Sequence, residues 1–291
     1  MIWIDMAKQL ILGMVQGFSE FLPISSSGHL KLFQHLLGFQ SEENSFVSIM
    51  LHLGTLVAVF FVYHKLIWDL ICEFFRMIKD LFTGKFRYSQ MSSLRRMMVM
   101  IIISTSLLVL MVIPLGEHNL MDYLNMINEA ESLLPLGIAF MITGVLLIVT
   151  FIVNNRAKKR REDAILRDAL LIGGSQCVAT IAGISRSGST MATGLLCGLS
   201  REYMVQYSFI MSIPPILAAA LTEAKPILDG EATMTVGVLP MIVGMLSATL
   251  FGVLSIKMIQ WLLKKDRYKL FGYYCLTLGA VVIVLSLCGV L

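Results

Sequence analysis

Long blocks of apolar residues, separated by shorter polar segments, make up most of the chain. A helix needs about 20 mostly apolar residues to span a bilayer, and six of the blocks approach or exceed that length. They predict spanning helices at 46–63, 97–115, 133–153, 203–221, 236–256 and 270–291. The pattern therefore predicts an all-α, polytopic integral membrane protein.

Two further apolar blocks, at about 5–38 and 164–199, are each interrupted midway by Ser, Gly or Pro. Broken helices are tolerated at membrane depth where they face protein or a wet cavity. We therefore expect two re-entrant helical hairpins in addition to the six spans. Between the first two spans, residues 65–82 carry polar side chains at helical spacing, which predicts an interfacial amphipathic helix.

The composition agrees with a membrane protein. The chain is 57% hydrophobic and only 14% charged, whereas soluble domains carry about 25% charged residues. This excludes a soluble globular domain, and no feature of the sequence predicts a nucleic-acid partner. The five cysteines lack metal-ligand spacing and predict no disulfide framework.

Positive charges are concentrated in alternate loops. Segments 64–96, 154–167 and 257–269 contain seven, six and five Lys or Arg residues, whereas 116–132 contains none and 222–235 contains one. Cytoplasmic loops of membrane proteins carry an excess of Lys and Arg. The first three segments are therefore predicted to be cytoplasmic, and the other two segments and both termini external.

An internal repeat relates the two halves of the chain at an offset of 160 residues. From position 13 to 38, eight of 26 aligned positions are identical, where chance gives roughly two. The identical residues are, in the first half, Gly13, Gln16, Ile24, Ser25, Ser27, Gly28, Leu36 and Gly38, and each matches the residue 160 positions later. We therefore predict a first repeat, 1–153, and a second, 160–291, each with one hairpin and three spans. Because three is odd, the second repeat would be inverted, as in many transporters.

The first hairpin contains a polar cluster that extends from Gln16 to His29. Gln16 and Glu20 are four residues apart and share a helix face. After a break predicted at Pro23, the run 25–28 predicts a capped helix start, whose N–H groups and dipole suit phosphate. Such groups are costly in a membrane and are retained there mainly for function. The simpler alternative is a serine-capped kink with a buried, hydrogen-bonded Glu20.

The second hairpin places Arg186 where the first has Ser26. An arginine in an apolar hairpin needs an anionic partner, and its planar fork of donors suits phosphate. An internal ion pair with Glu20 is the alternative. The two interpretations are compatible, because that pair can occupy an empty site.

Together the two hairpin tips predict a phosphoryl-transfer site that acts on a lipid-borne phosphate. A serine hydroxyl activated by a neighbouring base can attack phosphorus, His29 can shuttle the proton, and Arg186 with the backbone N–H groups can neutralise phosphate oxygens. Attack by water with His29 as base, and attack by His29 itself, are the alternatives. The other predicted substrate-binding residues are Gln16, Ser25, Ser27, Gly28, Ser185, Ser187 and Gly188. His52 is better explained by a helix–helix hydrogen bond than by a place in the site.

At these residues the chain resembles the bacterial undecaprenyl-diphosphatase family, also called the bacitracin-resistance proteins. The motifs that carry the resemblance are Gln16-x-x-x-Glu20-Phe-Leu-Pro-x-Ser-Ser-Ser-Gly-His29 and Gly183-Ile-Ser-Arg-Ser-Gly-Ser-Thr190. Length, span pattern and the two-half layout also fit, so the resemblance covers essentially the whole chain. Many family members have Glu at the position of Gln16 and Pro at that of Ala182. The first departure removes one carboxylate from a two-carboxylate metal site. The second departure is expected to make the turn of the second hairpin less rigid.

The resemblance implies hydrolysis of undecaprenyl diphosphate to the monophosphate, which recycles the lipid carrier of peptidoglycan synthesis and confers bacitracin resistance. It also implies a place in the bacterial cytoplasmic membrane among membrane lipids, and a divalent cation, Mg²⁺ or Ca²⁺, held by Glu20. By motif match, the functional set is Glu20, Ser26, His29 and Arg186, with Gln16 beside them. In this set Ser26 would be the nucleophile, His29 the general base and later acid, and Arg186 the phosphate ligand. Glu20 would bind a cation or orient His29. The oligomeric state stays open between monomer and homodimer.

Three other functional classes were compared with the sequence. The inverted repeat is also compatible with a polyprenyl-phosphate flippase or an ion-coupled transporter, which is the main alternative. A purely structural membrane subunit leaves the polar clusters unexplained. The acid-phosphatase-like lipid phosphatases also use Ser-Gly-His and Ser-Arg elements, but they need a Lys/Arg-Pro motif upstream of them and a histidine shortly after the arginine. This chain has no Arg-Pro dipeptide and no histidine after His118, which excludes that class.

Overall fold

The protein is almost entirely helical in the computed structural model. The structure describes residues 2–38, 41–87, 90–115, 118–128, 132–154, 160–229, 236–264 and 267–289. Within these ranges, six helices are long and apolar enough to cross a membrane. The predicted all-α membrane architecture with six spans is therefore confirmed.

Two helical hairpins form where the apolar blocks are interrupted. In the first, helix α1 (Ile2–Phe21) ends at a turn containing Pro23, and helix α2 (Ser26–Leu36) returns. Ser25 caps α2 by accepting a hydrogen bond from the Gly28 N–H at 3.3 Å. Its φ of 72° makes it the one non-glycine residue with positive φ in the described part of the chain. Backbone strain of this kind concentrates at functional sites.

Beyond the two hairpins, seven further helices and a 3₁₀ segment complete the membrane part in the described ranges. In the first half they are α3 (Ser41–Phe82), α4 (Ser93–Ser106) with its 3₁₀ extension (Leu107–Val112), and α6 (Leu134–Asn154). A short antiparallel pair, β1 (Pro114–Leu115) and β2 (His118–Asn119), and helix α5 (Leu120–Asn128) lie between α4 and α6. These three small elements were not predicted.

The second half begins with the second hairpin, formed by helices α7 (Leu166–Val178) and α8 (Arg186–Leu196). Its remaining helices are α9 (Arg201–Met211), α10 (Ile213–Leu228), α11 (Val238–Lys264) and α12 (Lys269–Leu287). The predicted span 203–221 is thus divided at Ser212, just before the Pro214-Pro215 pair. Proline removes a helical hydrogen bond and disfavours helix at the residue before it.

The predicted span 46–63 and the predicted interfacial helix 65–82 form one helix, α3, kinked at Tyr63 (φ −108°, ψ 21°). No proline or glycine separates the two segments, so the helix continues through the kink. The polar face of the second segment is only partly exposed, because α4 covers Glu73. Glu73 is buried and pairs with Arg95 at the start of α4, and Arg95 Nη1 lies 2.7 Å from Asp80 Oδ2.

The long helices pack so that each hairpin is held by the opposite half. Helix α1 packs along α11, and the equivalent helix α7 packs along α4. Helices α6 and α12, the last helix of each half, pack against each other. The division into two inverted repeats and the re-entrant placement of the hairpins stay predictions. In both hairpins, the first helix packs on a helix of the other half, which is the arrangement expected of two inverted repeats.

Glycines allow the backbones of α6 and α12 to approach closely. A Cβ atom at Gly144 would lie 2.9 Å from the carbonyl oxygen of Gly272, and one at Gly272 would lie 3.1 Å from that of Gly144. Gly137 and Gly279 repeat the arrangement two turns along. Small residues of this kind are what membrane helices use at their interfaces, because lipid supplies no hydrophobic driving force.

We expect Gly144→Ala to lower the thermal stability of the detergent-solubilised protein, by about 1–3 kcal/mol, because overpacking forces the helices apart. The new methyl group would meet Leu276 Cγ at 2.8 Å as well as the Gly272 carbonyl. Gly174→Ala is the matched control, because no atom lies within 4 Å of an added Cβ there. Equal melting temperatures for the two variants would contradict the tight α6–α12 contact.

Candidate active site

The tips of the two hairpins cross at the centre of the molecule. A Cβ at Gly28 would lie 3.0 Å from the Cα of Gly183, and one at Gly188 would lie 3.3 Å from the Cβ of Pro23. The hydroxyl of Ser187 also donates to the carbonyl of Leu22 at 3.1 Å. The turns are therefore in direct contact, and the polar residues that follow them in sequence are brought together.

Glu20 lies at this junction and is surrounded by donors. Its side chain is 2% exposed. Oε1 pairs with the guanidinium of Arg186 from the other hairpin. Oε2 accepts hydrogen bonds from Gln16 Nε2 at 2.9 Å and from Ser26 Oγ at 2.6 Å. The structure thus brings together four residues of the predicted set, and it contains the Glu20–Arg186 pair that the sequence offered as an alternative.

A cavity of about 360 Å³ opens beside this cluster. Its polar wall includes Glu20, Ser26, Ser27 and Arg186. Its apolar wall comes from several helices and includes Ile49, Leu108, Met121, Ile184, Pro215, Ile216 and Ala219. The combination suits an amphipathic ligand with an anionic head and a hydrocarbon tail.

His52 on α3 is the histidine nearest the carboxylate, and the sequence argument had not placed it in the site. Its Nε2 lies 3.5 Å from Glu20 Oε2, and it lines the cavity. Its Nδ1 is 2.7 Å from the Ser48 carbonyl. Since a carbonyl only accepts, Nδ1 carries a proton and Nε2 is the nitrogen that can exchange one with Glu20. The repeat offset pairs His52 with Ser212 and Glu20 with Thr180. Ser212 and Thr180 both line the cavity, so the offset was a signal that His52 lies near the site.

His29 is not brought to the carboxylate. Its Nδ1 is 2.7 Å from the Ser25 carbonyl, and its Nε2 is 2.7 Å from the Tyr274 hydroxyl. The ring is buried against Phe140 and Tyr274, and His29 is not among the residues that line the cavity. Both ring nitrogens are therefore engaged away from Glu20. In this arrangement His29 supports the strained turn at Ser25, and its assignment as a base stays a prediction.

The other predicted substrate-binding residues divide into two groups. The N–H groups of Gly28 and Gly188 donate to the hydroxyls of Ser25 and Ser185, at 3.3 and 3.0 Å. Ser25 and Ser185 therefore cap α2 and α8, and the N–H groups of Gly28 and Gly188 are already used in these caps. Ser27, Ser187 and the capping residue Ser185 line the cavity, and Ser27 is exposed to it.

The turn of the second hairpin is anchored to helix α5. The Ala182 N–H donates to Asn128 Oδ1 at 2.8 Å, and Asn128 Nδ2 donates to the Thr180 carbonyl at 3.2 Å. A proline at position 182, as in many proteins that the chain resembles, has no N–H and could not make the first bond. The expected loss of rigidity is thus offset by a side-chain anchor.

The residues around Glu20 do not fit a divalent cation held by the protein alone. Both oxygens of this carboxylate already accept hydrogen bonds or ion pairs, and the adjacent guanidinium repels a dication. Mg²⁺ and Ca²⁺ favour several oxygen ligands. No group of three or more His, Cys, Asp or Glu residues that could hold a metal occurs in the described part of the chain.

Fold and site together define a polytopic membrane protein with a serine, a carboxylate and an arginine in contact at the junction of two helical hairpins. The family model described as "Bacitracin resistance protein BacA" matches residues 9–281. The chain belongs to this family.

Relatives in the family extend over nearly the whole chain. An undecaprenyl-diphosphatase from Alkaliphilus metalliredigens is 39% identical over 284 residues, which cover 96% of this chain and 98% of the relative. Proteins of the same name from Methanosphaera stadtmanae and Bacteroides fragilis are 37% and 36% identical. Those two alignments cover 97% and 96% of this chain, and 99% and 97% of the relatives.

Proposed function

We propose that this protein hydrolyses undecaprenyl diphosphate to undecaprenyl phosphate and inorganic phosphate. The observation that carries the proposal is the 2.6 Å hydrogen bond from Ser26 Oγ to Glu20 Oε2, a nucleophile with its base, beside Arg186. Membership of the family and the name of its relatives supply the substrate. A flippase or an ion-coupled transporter needs no nucleophile–base pair, so this contact favours the enzyme.

In the proposed mechanism the terminal phosphate of the substrate replaces Glu20 as the partner of Arg186. A guanidinium grips phosphate with two parallel hydrogen bonds and neutralises charge that develops in the transition state. Glu20, released from the ion pair, accepts the Ser26 proton. Ser26 Oγ then bonds to the terminal phosphorus, and the bridging P–O bond breaks. The lipid monophosphate departs with the electron pair of that bond.

The second half of the reaction returns the serine. Glu20 first passes its proton to His52 Nε2, which lies 3.5 Å away. Water then attacks the phosphoserine and gives a proton to Glu20, which protonates Ser26 Oγ as it leaves. Inorganic phosphate is released, His52 Nε2 gives its proton to the departing phosphate or to bulk water, and Glu20 pairs with Arg186 again. Gln16 Nε2 holds the carboxylate in place throughout.

We propose that a divalent cation, Mg²⁺ or Ca²⁺, enters with the diphosphate rather than residing on the protein. The carboxylate is saturated with donors while it is paired with Arg186. A cation would reduce the charge of the diphosphate headgroup when bound, and Glu20, once released from Arg186, is the residue nearest to hold it.

We further propose that the protein lies in the cytoplasmic membrane with both termini external, and that the cavity opens to the external side. Met121 on the cavity wall belongs to α5, within the segment 116–132 that lacks Lys and Arg. Leu108 and Ala219 lie on the parts of their helices that approach the predicted external loops. A second cavity, lined by Ser93, Glu162 and other residues, lies beside the Lys- and Arg-rich segments instead. The lipid tail would leave past Pro215 and Ile216.

The experiment that tests the function is phosphate release from undecaprenyl diphosphate by the purified protein in detergent. We expect one phosphate for each diphosphate consumed, with the lipid monophosphate as the other product. Absence of release from a folded preparation, combined with transfer of a labelled lipid between leaflets of vesicles, would establish the flippase alternative.

The orientation and the opening of the cavity can be tested together by cysteine labelling. In a variant lacking the five native cysteines, we expect Ser27→Cys to react with a membrane-impermeant maleimide in intact cells, because Ser27 is exposed in the cavity. Glu162→Cys, in the other cavity, should react only after permeabilisation. The opposite pattern would place the active site on the cytoplasmic side. Native Cys288, kept as the single cysteine, is exposed and reports the C-terminal side.

A further inference from the structure

Gln176 on helix α7 is a buried amide without a hydrogen-bond partner. Its residue is 2% exposed, and neither Nε2 nor Oε1 has a hydrogen-bond partner. It also lines the cavity that contains Glu20, Ser26 and Arg186. Leaving buried donors and acceptors unpaired is destabilising, so such groups in a folded protein call for an explanation. A ligand that enters the cavity would supply one.

The repeat shows what Gln176 lacks. The offset of 160 residues pairs it with Gln16, whose Nε2 donates to Glu20 one helical turn further on. The residue one turn after Gln176 is Thr180, and its hydroxyl donates to the Cys177 carbonyl at 2.7 Å. The second half thus keeps the amide but has no carboxylate for it. An anion entering the cavity would occupy the place that Glu20 has in the first half.

We propose that Gln176 is a substrate-binding residue whose Nε2 donates a hydrogen bond to a phosphate oxygen of the diphosphate. Its Oε1 is then available to a water molecule or a protonated phosphate oxygen. Arg186 lines the same cavity, so the headgroup is held by a guanidinium and by a neutral amide. The neutral donor adds recognition without adding positive charge to the membrane interior, where charge is costly. The assignment rests on the proposed function, because the ligand is the diphosphate of that reaction.

The test uses inorganic pyrophosphate as the probe and thermal stabilisation of the full-length protein in detergent as the readout. We expect Gln176→Leu to weaken pyrophosphate binding by about 10- to 100-fold, the range for one hydrogen bond to a charged group. In the absence of pyrophosphate the same variant should melt at the wild-type temperature or above it, because it removes an unpaired buried amide. A merely structural role predicts a lower melting temperature and unchanged binding.

Gln9→Leu is the matched control. Gln9 is 1% exposed and its Oε1 is also unpartnered, but it is not among the residues that line the cavity. Pyrophosphate binding by this variant should equal that of the wild type. Gln176→Glu should bind still more weakly than Gln176→Leu, since a carboxylate repels the phosphate.

Unchanged pyrophosphate binding in Gln176→Leu would overturn the proposal, as would failure of pyrophosphate to stabilise the wild-type protein. Failure of the proposed function gives a different result. In that case the wild-type protein binds pyrophosphate and Gln176→Leu does not, but no phosphate is released from the lipid. In an active enzyme, Gln176→Leu should raise KM for the diphosphate lipid more than it lowers kcat.

Discussion

Replacing Ser26 with alanine is expected to lower phosphate release by about 10³-fold or more. The variant loses the attacking oxygen and the proton that Ser26 shares with Glu20 over 2.6 Å. Loss of one proton-transfer group alone lowers the rate by about 10²- to 10⁴-fold. Alanine at position 26 also supplies no oxygen that could attack the phosphorus. The measurement is the rate of phosphate release from the diphosphate lipid at saturating substrate.

Ser19→Ala is the control for this prediction. Ser19 precedes Glu20 on the same helix, but its hydroxyl donates to the Val15 carbonyl at 2.6 Å, within its own helix. The activity of this variant should stay within about threefold of the wild type, because the lost bond lies within one helix and affects the free and substrate-bound states equally. Activity of Ser26→Ala within tenfold of the wild type would instead support direct attack by water with Glu20 as base.

Loss of the guanidinium is the second large effect. We expect Arg186→Ala to lower phosphate release by about 10²-fold or more, the magnitude seen when one donor that stabilises transition-state charge is removed. Arg186→Lys should recover little of this activity, because an ammonium group cannot grip phosphate with two parallel bonds. Arg76→Ala is the control, because Arg76 is a mostly exposed residue paired with Glu73, remote from the cavity.

The Arg186 variants need a test that separates binding from folding. Breaking a buried ion pair by removing one partner typically costs about 3–5 kcal/mol, because the other charge is left uncompensated. The double variant Glu20→Gln/Arg186→Ala removes both charges and should melt at a higher temperature than Arg186→Ala while staying inactive. Full activity in Arg186→Ala and Arg186→Lys would remove Arg186 from the mechanism.

The membrane architecture was predictable because its determinants are local. Bilayer thickness sets the length of an apolar block, and breaks such as those at Pro23 and Pro214-Pro215 are visible in the sequence. What failed was the division of α3, where the sequence suggested separate elements at 46–63 and 65–82. Polarity changes there, but nothing stops the helix. The pairing of Arg95 with Glu73 and Asp80 joins residues that are 22 and 15 positions apart and depends on packing.

The site was predictable as far as the repeat and the motifs extend. Glu20, Ser26 and Arg186 were expected to meet, and they do. The choice between the two histidines was not predictable from the motif. His29 is three residues from Ser26, yet its ring faces Tyr274, a residue 245 positions away, whereas His52 reaches Glu20 from another helix. Side-chain direction at a hairpin tip is decided by such long-range contacts.

The anchor between Asn128 and the second hairpin has a consequence for how these proteins can diverge. Where position 182 is proline, the turn is stiffened by a covalent ring, and a substitution elsewhere cannot loosen it. In this chain the same turn depends on a side chain 54 positions away, through the 2.8 Å bond to the Ala182 N–H. Positions 128 and 182 are therefore expected to be genetically coupled: the harm of losing Asn128 depends on which residue occupies 182, because with proline there Asn128 would keep only its bond to the Thr180 carbonyl.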